Sequence, residues 1–562
     1  VELPVGREHC KRLFPFIGVI IGGLNFFLLY GVRVLHPRYV DWLLTHVSHD
    51  PPKNFLGWAF FRSDSWRFPL GCMNNLGYPF GATLIETDSI PLLGVFFKLF
   101  DSLLPLHFQY FGLWGLVSFC LQGFFAALLL KRWSNNLFTV AVGTVFFTSS
   151  PVMLYRMFTH TSLAGGHWMI LAALYLFLEN KKMGKSSMVC WVLLIWVSVL
   201  IQLYLTALLF IIWGGYLLNR YYQEKKLKPL ASLTLLILGG VFFLSWIIGI
   251  FASDISILDS SLGKLSMNLN ALFNPEGWSR ILPSLPYVYD TQNEGFMYAG
   301  AGMLILWVMG VASASLGRFS LRRNDLFRGV VFIFFVSLFF SLSPVLTFNE
   351  YTLIEYPRFV ARYLFRFWHA FHASGRLFWS AYYLLFLLGF YGLLSLKIKE
   401  GVKAGILSAL LVLQIFDLSA GMSAVQKVHR FPLEKVHYES PLQSRFWEDA
   451  VDKYHHIVLL PPQQFIPQKD PFLRDYETFA HYASMNDMTL NTGYFARRQY
   501  DSIESYARFH LERLQEGIVN KNTLYILKEG PPWYPLQAIK NVEEVQVKKV
   551  DGFSVLISNP VP

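Results

Sequence analysis

Long apolar runs set the pattern of this chain. They fall at about 13–35, 106–130, 137–154, 162–178, 188–203, 204–219, 229–251, 298–316, 327–346, 377–396 and 402–420. A helix needs about twenty apolar residues to cross the ~30 Å hydrocarbon core of a bilayer. The pattern therefore predicts about eleven transmembrane helices. The block 188–219 can be read in two ways. Gln202 and Tyr204 mark either a tight hairpin between two spans or a bend in one long helix. Arg7, Lys11 and Arg12 precede the first run without an obvious small-residue cleavage site, so this run reads as a retained helix.

The polar positions between the runs order them. Lys131 and Arg132 follow the second run, and Lys181, Lys182 and Lys185 the fourth. Arg220, Lys225, Lys226 and Lys228 follow the sixth, Arg318, Arg322 and Arg323 the eighth, and Lys397, Lys399 and Lys403 the tenth. Basic loops stay on the cytoplasmic side. The N-terminus is then cytoplasmic, and the loops 36–105, 252–297 and 347–376 are external. So is everything after Gly421. A single helix over 188–219 would break this alternation, which favours two spans.

After about residue 421 the spanning runs stop and charged residues become frequent. Residues 440–454 predict a short helix, His455–Leu460 a buried strand, and Arg497–Gly517 an amphipathic helix ending near its glycine. Thr523–Lys528 and Val542–Ile557 predict strands, the second folded at Asp551-Gly552. The expected fold class is a mainly α-helical polytopic membrane protein with a C-terminal extracytoplasmic α/β domain. The expected domains are 1–420, including the external loop 36–105, and 421–562. The C-terminal part carries no glycine-rich nucleotide motif.

Composition agrees with this picture. Of the 562 residues, 54% are hydrophobic and only 15% charged, against about a quarter charged in soluble proteins. The net charge of +11 does not point to nucleic acid, because the basic residues sit in short loops between spans. Of Cys10, Cys72, Cys120 and Cys190, only Cys72 falls in an external loop. No disulfide is expected, and no spacing supports a metal site.

The first external loop is the most informative stretch. Asp50 to Pro91 holds Asp50, Asp64, Glu86 and Asp88, with Trp58 and Trp66 among several turn-forming glycines and prolines. Its aromatic content and low net charge argue for an ordered loop. Asp50 follows the first span, Gly57-Trp58 comes soon after, and Thr87-Asp88-Ser89-Ile90-Pro91-Leu92-Leu93 opens the next apolar run. These features resemble an uncharacterised family of bacterial polytopic membrane proteins. That family is similar to the GT-C glycosyltransferases, which use polyprenyl-phosphate sugars.

The resemblance implies a membrane glycosyltransferase at the outer face of the bacterial cytoplasmic (inner) membrane. Its partners would be a polyprenyl-phosphate sugar donor, a cell-surface or lipid-linked glycan acceptor, and membrane lipids. No nucleic acid and no cofactor are implied, and a divalent metal is left open. Asp50 stands where such enzymes place a catalytic carboxylate, although His49-Asp50-Pro51-Pro52 is also good turn chemistry. Asp88 is a second catalytic candidate, but it fits a helix N-cap with Pro91 just inside more closely. Asp64 and Glu86 read as solvated loop acids, and His49 as a neighbour able to assist Asp50.

Arginine is unexpectedly frequent on the external side. Arg358, Arg362 and Arg366 are four residues apart and would share a helix face with His369. They suit anionic lipid headgroups, or the phosphate of a donor. His372 and Arg376 lie in the turn His372-Ala373-Ser374-Gly375-Arg376, which resembles the family pattern, and are assigned to the donor phosphate. Arg156 and His160, with His167 beyond Gly165 and Gly166, are further donor-phosphate candidates or interfacial side chains. Glu294, ahead of Gly300 and Gly302, reads as a ligand-binding acid or a structural hydrogen-bond partner. The alternatives are a lipid-linked glycan flippase or transporter, a glycan polymerase, or an assembly partner. A transporter is less well matched, because the middle of nearly every span lacks ionisable residues.

Overall fold

The computed structural model describes residues 6–46, 48–179, 184–252, 263–315, 326–357, 359, 368, 370–429, 438–465, 475–496, 500–530, 533–540, 542 and 545–558. Arg358, Arg362, Arg366 and His369 lie outside them. The chain divides into two compact units. One comprises Val1–His36, Tyr110–Phe242 and Leu258–Pro432; the other comprises Pro37–Gln109, Phe243–Ile257 and Leu433–Pro562.

Among the described residues, eight helices are long and apolar enough to cross a membrane. They are Leu13–Tyr30, Phe111–Leu130, Leu137–Arg156, Thr161–Leu178, Leu203–Glu224, Leu227–Ile247, Ser374–Leu394 and Glu400–His429. Lys185–Ile201, Ala301–Ser313 and Phe327–Leu342 are apolar but shorter. Each apolar run in the sequence coincides, in order, with one of these helices.

The block 188–219 is a hairpin. Gln202 is extended, at φ −166° and ψ 131°, between Lys185–Ile201 and Leu203–Glu224. The rings of Trp191 and Trp213 lie 5.1 Å apart, and those of Trp191 and Tyr216 5.3 Å apart. One straight helix would hold Trp191 and Trp213 roughly 33 Å apart, so the chain must reverse at Gln202. The first helix packs through Gly18 and Gly22. A Cβ on Gly18 would meet the Gly123 carbonyl oxygen at 2.2 Å, and one on Gly22 the Phe119 oxygen at 2.0 Å. Small residues four apart allow this backbone approach.

In the second unit a five-stranded mixed sheet runs in the order Thr489–Leu490, His456–Leu460, Thr523–Leu527, Phe553–Ser558 and Val545–Val550. The first three strands are parallel and the last two antiparallel. The hairpin turn falls at Asp551-Gly552, with φ 48° and 88°, the left-handed pair that a tight two-residue turn requires. Helices Arg445–Lys453 and Asp501–Gln515 form where the sequence places them. Helix Asp475–Met485 is an addition. Ala507, Leu511 and Leu514 pack on Val458, Leu460, Tyr525 and Leu527 to make the core.

Residues 37–109 fall in the same unit as this sheet, whereas the sequence reading attaches the loop to the domain 1–420. The physical reason is direct pairing. Leu76 forms a parallel bridge with Leu490, extending the sheet edge. Tyr78 N–H donates to the Leu490 oxygen at 2.9 Å, and Ala496 N–H to the Glu86 oxygen at 2.8 Å. The Tyr78 ring stacks on His456 at 4.7 Å. The stretch also holds a helix, Asp50–Ser63. Pro51 to Phe61 are all buried, so it shows no amphipathic period.

Candidate functional site

In the first unit, three groups named from sequence converge on a fourth. Pro151 restarts a helix after Ser149-Ser150 and places Arg156 at its end. His160 lies one turn further, its N–H donating to the Arg156 oxygen at 2.8 Å. Glu294 sits in the turn Asp290–Gly295, and Arg376 in Ser374–Phe378. Glycines bring these two turns together: a Cβ on Gly375 would lie 2.6 Å from the Gly295 Cα.

Glu294 Oε2 accepts from Arg156 Nη1 at 2.9 Å and from Arg376 Nη2 at 2.7 Å. Arg376 Nε donates to the same oxygen at 2.9 Å. The other oxygen, Oε1, faces His160 Nε2 at 3.9 Å. Arg156 is 2% exposed; its Nη2 donates to the Asn293 oxygen at 3.0 Å, while its Nε has no hydrogen-bond partner among the described residues. Burial alone would raise the Glu294 pKa. Arg156, Arg376 and His160 outweigh it and hold the carboxyl well below its ordinary value. Arg376 also lies over the Tyr204 ring at 5.3 Å, a stacked cation that a lysine would reproduce poorly. His372 is half-buried in the turn leading to Arg376. Gly165 and Gly166 serve helix packing, since added Cβ atoms would strike Trp114 and Leu205.

Sequence reasoning missed a second acid in this unit, Glu276. The Tyr287 hydroxyl donates to its Oε1. Burial pushes its pKa up to about 7, despite the opposing effects of Tyr287 and Arg156. The one sequence signal was an acid in the turn-forming run Asn274-Pro275-Glu276-Gly277.

The second unit holds a lysine between two carboxylates. Lys53 Nζ lies 3.0 Å from Asp50 Oδ1 and 2.8 Å from Asp88 Oδ2. Lys53 belongs to the first turn of Asp50–Ser63 and is buried. Burial opposes its charge, but Asp88 and then Asp50 more than compensate, holding its pKa well above the usual lysine value. The turn carrying Asp88 docks at Gly57, where a Cβ would meet Thr87 Oγ1 at 2.1 Å. Asp88 is not the helix cap that its sequence context suggests. Ile90, at φ 51°, is the N-cap of Pro91–Lys98, with no side-chain cap bond. Asp88 itself is left-handed, at φ 52°, which turns its carboxylate to Lys53 rather than to a helix amide.

Beside this centre, His49 Nδ1 pairs with Glu477 Oε1 at 2.8 Å, and the Tyr494 ring lies 5.4 Å from Lys53 Nζ. Asp64 and Glu86 are engaged structurally rather than solvated. Asp64 accepts from Ser65 N–H, Asn74 N–H and Arg67, and Glu86 from Thr83 N–H. Among the described residues, no group of three or more His, Cys, Asp and Glu could hold a metal ion.

The described residues thus define a mainly helical chain with eight helices able to span a membrane, a small mixed sheet, and a buried charge centre in each unit. The chain belongs to the family described as Domain of unknown function (DUF6311), which matches residues 19–419. The DUF6311 C-terminal domain matches residues 446–558. No curated protein matches the chain.

Proposed function

We propose that this protein is a membrane glycosyltransferase. It takes a sugar from a polyprenyl-phosphate donor and places it on a cell-surface or lipid-linked glycan, at the outer face of the bacterial cytoplasmic membrane. On this reading the eight long helices and the three shorter ones all span, the N-terminus is cytoplasmic, and residues 421–562 are external. The observation that carries the reading is the convergence of two buried guanidinium groups on one oxygen of Glu294. Two cations against one carboxylate leave an uncompensated positive charge, which a buried site tolerates poorly unless an anion joins it.

Arg156 and Arg376 hold the donor phosphate and stabilise the charge that develops as it leaves. The acceptor hydroxyl forms a bond to the anomeric carbon, the bond from that carbon to the phosphate oxygen breaks, and the phosphate keeps the electron pair. The acceptor proton passes to a general base, and the carboxylate that the family resemblance names for that role is Asp50, which within its own unit lies 3.0 Å from Lys53. Asp88 positions Lys53 from the other side. Comparing envelope glycans from cells with and without the protein tests the reading. Loss of one sugar linkage is expected; identical glycans would count against it.

A further inference from the structure

We propose that a cavity in the second unit, walled by Arg67, Asn74, Thr83 and Glu86, binds a neutral hexose carried on a lipid, as the head group of the sugar acceptor. The acceptor role rests on the glycosyltransferase reading; the binding site does not.

A short hairpin builds the cavity. Cys72–Met73 pairs antiparallel with Ala82–Thr83. The turn that follows brings Glu86 back to the strand, where its Oε2 accepts from Thr83 N–H at 2.8 Å. That bond holds the carboxylate at the wall. The cavity measures about 430 Å³, within the ~300–1,000 Å³ of small-molecule sites.

The wall has the chemistry of a sugar site. Arg67 Nε is buried and has no hydrogen-bond partner among the described residues, so a ligand oxygen would complete it. Glu86 supplies an acceptor, and the exposed Asn74 amide supplies both kinds of group. A sugar hydroxyl donates and accepts, and so matches such a mixture. Phe68 and Phe80 line the same cavity and are 57% and 49% exposed. Their flat apolar faces suit the C–H side of a sugar ring. An anion fits poorly. Arg67 already pairs with Asp64 at 2.7 Å, and Glu86 adds a negative charge to the wall.

The position points to a lipid-borne sugar. The Phe68 ring packs on Trp246 at 4.7 Å. Leu70 N–H donates to the Ile247 oxygen at 2.7 Å, and a Cβ on Gly71 would meet the Ile248 oxygen at 2.3 Å. The cavity thus sits at the end of Leu227–Ile247, one of the helices able to span a membrane. Phe243, Trp246 and Phe251 are exposed there, as aromatic side chains are at a membrane–water boundary. The same turn carries the link to chemistry. Glu86 is in the wall, while Asp88 Oδ2 lies 2.8 Å from Lys53 Nζ. Two residues apart, their Cα atoms are within about 7 Å, so the cavity wall and the Asp50–Lys53–Asp88 centre share one turn.

The test is binding, measured by titration calorimetry on the purified full chain in phosphatidylcholine nanodiscs. The probes are dihexanoylglycerol carrying glucose, galactose or mannose, the matching methyl glycosides, and dihexanoyl phosphatidic acid. One glycolipid or more should bind saturably, at least about tenfold more tightly than its methyl glycoside, because the acyl chains add apolar burial. Phosphatidic acid should not displace it. Glu86→Gln keeps an acceptor for Thr83 but removes the charge, and should weaken binding by about tenfold. Ala252, exposed and also lining the cavity, tests the site without touching its polar groups: Ala252→Trp should abolish binding, and it decides should Glu86→Gln not fold. No glycolipid binding, or binding unchanged in Ala252→Trp, would overturn the site. Equal affinity for a methyl glycoside would overturn the lipid-borne ligand, and displacement by phosphatidic acid the neutral one. Because no donor is present, these outcomes are separate from sugar transfer: binding with no transfer would leave the site and remove its acceptor role.

Discussion

Arg376 donates twice to one atom of Glu294, through Nη2 at 2.7 Å and Nε at 2.9 Å, both to Oε2. A guanidinium usually meets a carboxylate as a fork on two oxygens. Here both donors spend themselves on one oxygen, which Arg156 shares. Glu294 therefore occupies the centre as one corner of an anion rather than as a bidentate partner.

Replacing Arg376 by lysine keeps the charge and loses one of these donors as well as the stacking on Tyr204. A hydrogen bond to a charged group contributes about 1.5–3 kcal/mol. Arg376→Lys should weaken donor binding by roughly tenfold or more. Arg358→Lys, at an arginine read as touching ordinary lipid, should change it little. Donor titration of the two variants checks this; equal tolerance at both positions would remove the specific phosphate site.

Glu294→Gln should destabilise the fold. It leaves two buried arginines without their anion, a change that costs about 3–5 kcal/mol when a buried pair is broken. The pH dependence has a definite sign. The folded pKa of Glu294 lies below its ordinary 4.5. The stability it contributes is therefore present above that value and is lost as pH falls through the lower folded pKa. Thermal unfolding across the acid range should show a loss in the wild type that is absent in Glu294→Gln.

Lys53→Met would leave Asp50 and Asp88 facing each other without a cation, at a cost of roughly 3 kcal/mol. The raised pKa of Lys53 contributes stability that is complete below the ordinary lysine value and is lost only at strongly alkaline pH. No step from Lys53 should appear near neutrality. Asp88→Asn should keep the fold, because asparagine tolerates a left-handed backbone. Its activity should fall by about tenfold, since Lys53 then orients Asp50 without its second tether.

The regular elements were legible in the sequence because they obey local rules. Apolar length marked the helices, the break at Gln202 showed as a polar residue in an apolar block, and Asp551-Gly552 announced its hairpin. Pairing between distant segments left no such trace. Nothing near Leu76 names Leu490 as its partner, so the attachment of the first loop to the C-terminal sheet was not readable. Asp88 looked like a cap because Pro91 follows it, and only its left-handed backbone shows otherwise. Arg156, His160, Glu294 and Arg376 were each visible as charges at the ends of apolar runs. Their convergence depends on Gly375 meeting Gly295, which is a property of the folded chain. Glu276 was hidden among turn residues, where an acid is ordinary.

Topology can be checked independently. Basic residues after each even-numbered apolar run predict a cytoplasmic N-terminus and an external segment after Gly421. Reporter fusions after Gly421 should be active only when external. A cytoplasmic signal there would move Asp50, Glu294 and Arg376 to the other face and contradict a donor site at the outer leaflet.

The most direct measurement is sugar transfer by the purified protein. Wild type and Asp50→Asn are incubated side by side with labelled short-chain polyprenyl-phosphate sugars and an envelope glycolipid extract, and thermal unfolding is recorded for each. The account predicts that the wild type releases polyprenyl phosphate and labels an acceptor. It predicts that Asp50→Asn unfolds normally but turns over about 10²–10⁴-fold more slowly, the loss typical of a removed general base. No transfer by the wild type from any such donor, or a near-normal rate from folded Asp50→Asn, would contradict it.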